Sequence, residues 1–250
     1  MKLKTSIKSV LVSQPESSSD NTPYNNLKQE YKLKMDFRPF VHVEGLDPKE
    51  VRRQRIEIQK YHNIIFTSRK AIDYYFKTCE DIHYKVPPTL KYFCQSKAVG
   101  HYLHQFGVYR KRKVYVGERS IEDLRENFEK YSDERFLLPS SDVLNPKIVD
   151  FLNSLKVEWK RIILYKTVAS DLSDLKDVYY DILVFYSPAG IHSLFENFPD
   201  FEQNDTVIAA FGPSTVQAAQ EHNLRIDIEA PTKACPSMTM AIDQYIKSFG

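Results

Sequence analysis

The feature that most limits what this chain can fold into is a set of apolar runs, too short for helices and too continuous for half-buried strands. Ile64-Ile65-Phe66, Leu137-Leu138, Leu183-Val184-Phe185 and Ile208-Ala209-Ala210-Phe211 each break off after a few residues and lead into an amphipathic stretch. A strand that is apolar throughout is covered on both faces. Such strands, separated by single helices, belong to parallel sheets. The predicted class is therefore α/β.

The alternation runs almost from end to end. Strands are predicted over Ser9–Ser13, Ile64–Phe66, Leu90–Cys94, Lys113–Val116, Asp181–Phe185, Val207–Phe211 and Ile226–Ile228. Helical patterns cover Tyr24–Leu33, Ala71–Phe76, Ala98–Phe106, Ala189–Phe195, Ser214–Gln220 and Met238–Phe249. Phe136–Leu138, Ile148–Leu155 and Arg161–Val168 continue the alternation. Asp47 and Pro48 suit the N-cap and first position of a charged helix. Ser120-Ile121-Glu122-Asp123 resembles a capping box that opens a helix to Lys130. Pro39 makes Phe37–Val43 an edge or connector. About nine strands exceed one flavodoxin-sized sheet, so two domains are expected.

Composition removes several classes of function. With 35 Lys+Arg against 33 Asp+Glu, the net charge of +2 makes no polycation for a nucleic-acid backbone. The basic run Tyr109-Arg110-Lys111-Arg112-Lys113 reads as a solvated loop. Cys79, Cys94 and Cys235 form no CxxC pair, so neither a zinc knuckle nor a disulfide framework is expected. After the opening Met1-Lys2-Leu3-Lys4, the run Val10-Leu11-Val12 is too short for a signal-peptide core. Nowhere do about 18 apolar residues run together, so no membrane span is expected. The expected setting is a reducing, cytoplasmic one.

Four strand ends share one chemistry. Ile64-Ile65-Phe66 runs into Thr67-Ser68, and Leu137-Leu138-Pro139 into Ser140-Ser141. Leu183-Val184-Phe185 runs into Ser187-Pro188-Ala189-Gly190, and Ile208–Phe211 into Gly212-Pro213-Ser214-Thr215. In each, a small hydroxyl residue is expected where a helix begins. Plain N-capping accounts for any one of them. In a parallel sheet, however, all four would lie at the carboxyl edge, where open α/β sheets bind ligands. Helix starts offer unpaired N–H donors and partial positive charge, which suits a ligand with several anionic groups.

Other chemistries lack a signal. The seven glycines form neither GxGxxG nor a P-loop, and Gly212-Pro213-Ser214-Thr215 is too short to wrap a triphosphate. His101 and His104 have ligand-like spacing, but no third ligand accompanies them, and surface histidines are the better account. No nucleophile elbow, triad order, kinase signature or RNP-like aromatic motif is present.

Six segments stand in a recognisable order. They are Ile64-Ile65-Phe66-Thr67-Ser68-Arg69-Lys70-Ala71-Ile72, Ala98-Val99-Gly100, Leu164-Tyr165-Lys166-Thr167-Val168, Phe185-Tyr186-Ser187-Pro188-Ala189-Gly190, Ala210–Ala219, and Leu224 through Ala230-Pro231-Thr232 to Met240-Ala241-Ile242. Together they resemble the uroporphyrinogen-III synthase family over essentially the whole chain.

The resemblance implies two flavodoxin-like α/β domains with parallel sheets flanked by helices. Residues 1–38 plus 171–250 would form one and the inserted residues 39–170 the other. Extended linkers near 37–43 and 167–172 would join them around a cleft. The implied substrate is the linear hydroxymethylbilane, with eight carboxylates, and no metal or organic cofactor is implied. Ring closure would invert the last pyrrole through a spiro intermediate. Partners beyond the substrate would be limited to a transient contact with the upstream bilane-forming enzyme. Carried over residue by residue, Tyr165 is the catalytic candidate, helping the bilane hydroxyl leave. The substrate-binding candidates are Ser13, Thr67, Ser68, Val99, Gly100, Ser140, Ser141, Ser187, Pro188, Ala189, Gly190, Gly212, Ser214 and Thr215.

The chain departs from the family pattern in three places. Leu103 stands where a threonine is usual, and Asp142 lies where a glycine-containing turn with a basic residue is usual. Asn223 replaces a glycine, a mild change because Asn tolerates a left-handed cap. A rival reading needs the same hydroxyl-lined cleft: a non-catalytic two-lobed module that clasps an anionic ligand.

Overall fold

The structure, a computed structural model, describes residues 7–17, 22–107 and 110–248. The opening stretch Met1–Ser6, Tyr109 of the basic run and Phe249 at the end of the last predicted helix lie outside the described residues. The chain divides into two compact units, Met1–His42 with Val168–Gly250, and Val43–Thr167.

The first unit opens with β1 (Ser9–Val12), α1 (Pro23–Tyr31) and β2 (Lys34–Phe37). β3 (Val41–Gly45) then leads into the second unit. There follow α2 (Pro48–Arg53), β4 (Asn63–Phe66), α3 (Arg69–Asp81), β5 (Lys91–Cys94), α4 (Lys97–Leu103), β6 (Val114–Val116), α5 (Arg125–Lys130), β7 (Arg135–Ser141), α6 (Pro146–Ser154) and β8 (Glu158–Ala169). The chain returns through β9 (Ile182–Phe185), α7 (Pro188–Asn197), β10 (Val207–Phe211), α8 (Pro213–Glu221), β11 (Ile228–Ala230) and α9 (Met238–Lys247).

Each unit is built on its own sheet. The first has five strands in the order β11-β10-β9-β1-β2, and these pair in parallel throughout. The second has six in the order β3-β8-β7-β4-β5-β6, with parallel pairing from β8 to β6. The α/β class and the parallel sheets read from the sequence are thus those of the structure.

The apolar runs behave as two-faced strands must. Ile64 and Phe66 of β4 join α3 residues Ala71, Ile72, Tyr75 and Phe76 in one core. Ile65, between them, packs on the other face with Phe93, Phe128, Phe136 and Leu152. The first unit repeats this: Val10 and Val12 face the core that includes α9, and Leu11 faces the one built on α7 and α8. A period of two sends alternate side chains to opposite faces, so a continuous apolar run serves two cores.

Local signals act where they were read. Asp47 accepts from Lys49 N–H while Glu50 accepts from Asp47 N–H, with Pro48 opening α2. Ser120 and Asp123 form their capping box, but the first turn, Ile121–Leu124, is a 3-10 turn ahead of α5. Asn223 takes a positive φ of 58° after α8, and Leu224 N–H bonds back to Ala219 O.

Four expectations need correction. Lys34–Phe37 is a full strand paired with β1; charged Lys34 and Asp36 flank its one buried apolar residue, Met35, which is the pattern of an edge strand and hid it. The last strand lies two residues later than predicted, at Ile228–Ala230. Ser140-Ser141 does not begin a helix: β7 runs through Ser141, and Asn145 caps α6 further on. The hydroxyls of Ser214 and Thr215 do not cap α8, because Gly212 is its N-cap and Pro213 its first residue.

Candidate active site

In the second unit the carboxyl ends of β4, β5 and β7 open on a pocket of about 270 Å³. Thr67, Ser68, Ser140, Ser141 and Tyr165 all line it, so the structure brings together five of the residues singled out from the sequence. Gln95 and Asn145 line it too. Sequence reasoning passed over both, although Gln95 follows β5 just as Thr67 follows β4. Its Oε1 is buried without a hydrogen-bond partner.

Tyr165 is the centre of this group. It is only 7 % exposed, and its ring stacks on Tyr74 with centroids 4.9 Å apart. Its hydroxyl lies 3.0 Å from Ser68 Oγ. Ser68 is the N-cap of α3, its Oγ accepting from Ala71 N–H at 3.0 Å. With that lone pair occupied, the serine can turn its own proton onto the phenol oxygen. The phenol O–H is then left for a ligand. Burial raises the phenol above its ordinary range, and hydrogen bonds from Ser68 and the Ser141 backbone pull the other way. Tyr165 therefore holds its proton at neutral pH.

The neighbouring candidates are less available. Ser140 is 2 % exposed, with its hydroxyl donating to Ser141 O and accepting from Arg161 Nε. Val99 and Gly100 are buried in α4, and their N–H groups go to Ser96 Oγ and Ser96 O. A Cβ on Gly100 would come within 2.8 Å of Val116, so packing explains this glycine. Leu103 is wholly buried in the core, which makes the departure there a packing choice. Asp142 keeps its carboxylate on Thr167 N–H at 3.3 Å.

The first unit carries its own set at the ends of β1, β9 and β10. Ser187 caps α7, its Oγ accepting from Gly190 N–H. Pro188 and Ala189 fill the first two helical positions, and the N–H at Ala189 can find no partner within the helix. A Cβ on Gly190 would sit 3.5 Å from Ser13 Oγ and 3.8 Å from Ser187 Oγ, so the glycine keeps the space beside both hydroxyls open. Gly212 adopts φ +87°, a conformation L side chains rarely take. Beyond it Ser214 is exposed at an uncapped helix start, while Thr215 is 1 % exposed. Tyr186, directly before Ser187, stands in one of the six segments but was not singled out as a site residue. Its hydroxyl lies 2.7 Å from that of Tyr24, and burial raises both phenols.

His101 is an exposed residue of α4, its ring 6.3 Å from that of His104. Among the described residues no group of three or more His, Cys, Asp or Glu is placed to hold a metal ion. Nor is any helix among them long and apolar enough to cross a membrane.

Comparison with known proteins adds an independent line. The family model described as uroporphyrinogen-III synthase HemD matches residues 25–240. Among solved structures, uroporphyrinogen-III synthetase from Helicobacter pylori is similar at 12% identity and TM-score 0.59, covering 97% of this chain and 100% of that one. A substituted uroporphyrinogen III synthase from Thermus thermophilus is similar at 14% identity and TM-score 0.52, covering 96% and 99%. At such identities these two speak for the fold. No curated protein sequence matches the chain significantly.

Proposed function

The chain belongs to the uroporphyrinogen-III synthase family, and from that premise we propose that it cyclises hydroxymethylbilane by orienting it and protonating its leaving hydroxyl from Tyr165. The observation that carries this is the phenol at the carboxyl edge of the second sheet, 3.0 Å from Ser68 Oγ, which already accepts from Ala71 N–H.

The substrate supplies most of the reactivity. Its pyrrole nitrogen expels the hydroxyl as water once a proton arrives, leaving an azafulvene. The substituted carbon of the last pyrrole attacks it to form a spiro intermediate. Fragmentation and reclosure at the free carbon of that ring release a ring proton, which restores the phenol. Water is the only by-product. A weak acid in the right place is sufficient for this, because holding the two ends of the bilane together does the larger part of the work.

The carboxylates would be held by N–H donors and hydroxyls at the carboxyl edges: Thr67 and Ser68 in one unit, Ser13, Ser187, Ala189 and Ser214 in the other, while Gly190 and Gly212, whose own N–H groups are bonded to Ser187 and Ala230, leave room beside them. The reaction class is a cyclising hydro-lyase, using no metal or organic cofactor. The same proposal takes residues 39–170 as a domain inserted between 1–38 and 171–250. A cytoplasmic setting and a transient hand-over from the bilane-forming enzyme belong with it, since a labile substrate gains from a short path.

Turnover is the test. Purified protein should consume hydroxymethylbilane faster than the unaided closure does, in proportion to protein added. Tight binding that leaves the rate at the unaided value would assign the chain to ligand capture instead.

A further inference from the structure

We propose that Arg161 is a positioning residue for the reaction, acting through a bulge in the sheet that brings the Tyr165 phenol to Ser68. The inference rests on the function proposed above. Three hydrogen bonds leave this one guanidinium. Nε donates to Ser140 Oγ at 2.8 Å, and Nη2 donates to the carbonyls of Ser141 and Asp142, both at 2.6 Å. Ser140 Oγ passes its own proton on to Ser141 O.

The clamped segment is where the pairing of β7 with β8 breaks step. Ser140 stands opposite Ile163, but Ser141 stands opposite Tyr165. One residue of β8, Leu164, is therefore extra, the definition of a bulge. Its effect shows in the packing. Ile162, Leu164 and Tyr165 all face the same core, which strict alternation forbids for the last two. Without the extra residue, Tyr165 would point to the opposite face of the sheet, away from Ser68. Asp142 N–H closes the bulge onto Tyr165 O at 3.0 Å.

A bulge leaves carbonyls without ladder partners, and here a cation supplies them. Arg161 thus holds the two peptide groups that flank Asp142, the residue whose N–H closes the bulge onto Tyr165. The planar fork matters: it donates from two separate nitrogens, Nε and Nη2, whereas an ammonium offers all its donors from one.

The experiment uses the full chain with Arg161→Gln and Arg161→Lys. Three quantities are read for each: melting temperature, kcat and KM for hydroxymethylbilane, and the resonance of a 13C label on the phenolic carbon of tyrosine. The Tyr165 signal is assigned by its loss in Tyr165→Phe. The expected result for Arg161→Gln is a kcat lower by about tenfold or more with KM little changed, the cost of a misplaced catalytic group, together with a shifted Tyr165 resonance. Arg161→Lys should recover only part of both. Adding Arg161→Gln to Tyr165→Phe should cost nothing further. An unmoved resonance, an unchanged kcat, or full additivity in the double variant would each overturn the proposal. If Arg161→Gln does not fold, Ser140→Ala, which removes one acceptor of the fork, should show the same two changes in smaller measure, and their absence overturns it equally. A wild-type chain that turns nothing over would remove the functional reading alone. The resonance would still show whether Arg161 places the phenol.

Discussion

Ser68 Oγ both caps α3 and lies 3.0 Å from the Tyr165 hydroxyl, so one serine anchors a helix and orients the candidate acid. The two residues are separated by 97 positions in the chain and meet because β4 and β8 flank β7 in the sheet. The consequences can be measured.

Removing the phenol proton should slow the reaction without stopping it. Tyr165→Phe should lose at most about a hundredfold in kcat, the lower range of general-acid contributions, while still giving some type III isomer. The wild-type rate should show no alkaline limb from this group below about pH 9, because burial moves the phenol up from 10.0 and keeps it protonated. A wild-type kcat that rises between about pH 7 and pH 8, with a flat profile in Tyr165→Phe, would assign the working role to the phenolate and contradict the acid.

Ser187→Ala should cost in two ways that can be separated. Loss of the N-cap on Gly190 N–H destabilises the fold by about 1 kcal/mol, read by chemical denaturation. Loss of a hydroxyl beside a bound carboxylate should weaken binding by about 1–2 kcal/mol, read as a raised KM. A normal KM in the folded variant would remove Ser187 from the binding set.

Ser214→Asp separates stability from function. A carboxylate at this exposed helix start favours the helix, so the variant should melt no lower than wild type. It also puts negative charge where a substrate carboxylate is proposed to sit. The expected outcome is a well-folded protein yielding mostly the type I isomer. Full type III output from Ser214→Asp would show that this helix start holds no carboxylate.

Leu103 gives the opposite kind of test. It is fully buried, so Leu103→Thr removes packing and places a hydroxyl in an apolar core. The loss should be about 2 kcal/mol or more, seen as a lower melting temperature. A more active enzyme of unchanged stability would mean that the usual family threonine does chemistry there.

What the sequence disclosed, and what it hid, follows from the range of the forces involved. Two-faced apolar runs such as Ile64–Phe66 revealed the parallel sheets, because burial on both faces leaves no polar alternation. The caps at Asp47, Ser68 and Ser187 were legible because their hydrogen bonds span three residues or fewer. Ser140-Ser141 was misread for the complementary reason. It stays in the strand by pairing with Ile163 and Tyr165 and accepts hydrogen bonds from a guanidinium about twenty residues away, on that neighbouring strand, and no local pattern reports either. Gln95 and Tyr186 were not singled out as site residues because a single polar or aromatic residue after a strand has no signature until the sheet places it beside others. Tyr165 was found through resemblance. Its orientation came from a register shift that only pairing reveals.

The most direct test of the whole account is the isomer composition of the product. Hydroxymethylbilane, incubated with the purified chain and in parallel without it, is oxidised and separated into type I and type III uroporphyrins. The account predicts predominantly type III with protein and type I without. The same type I product in both, at any protein concentration, would contradict it.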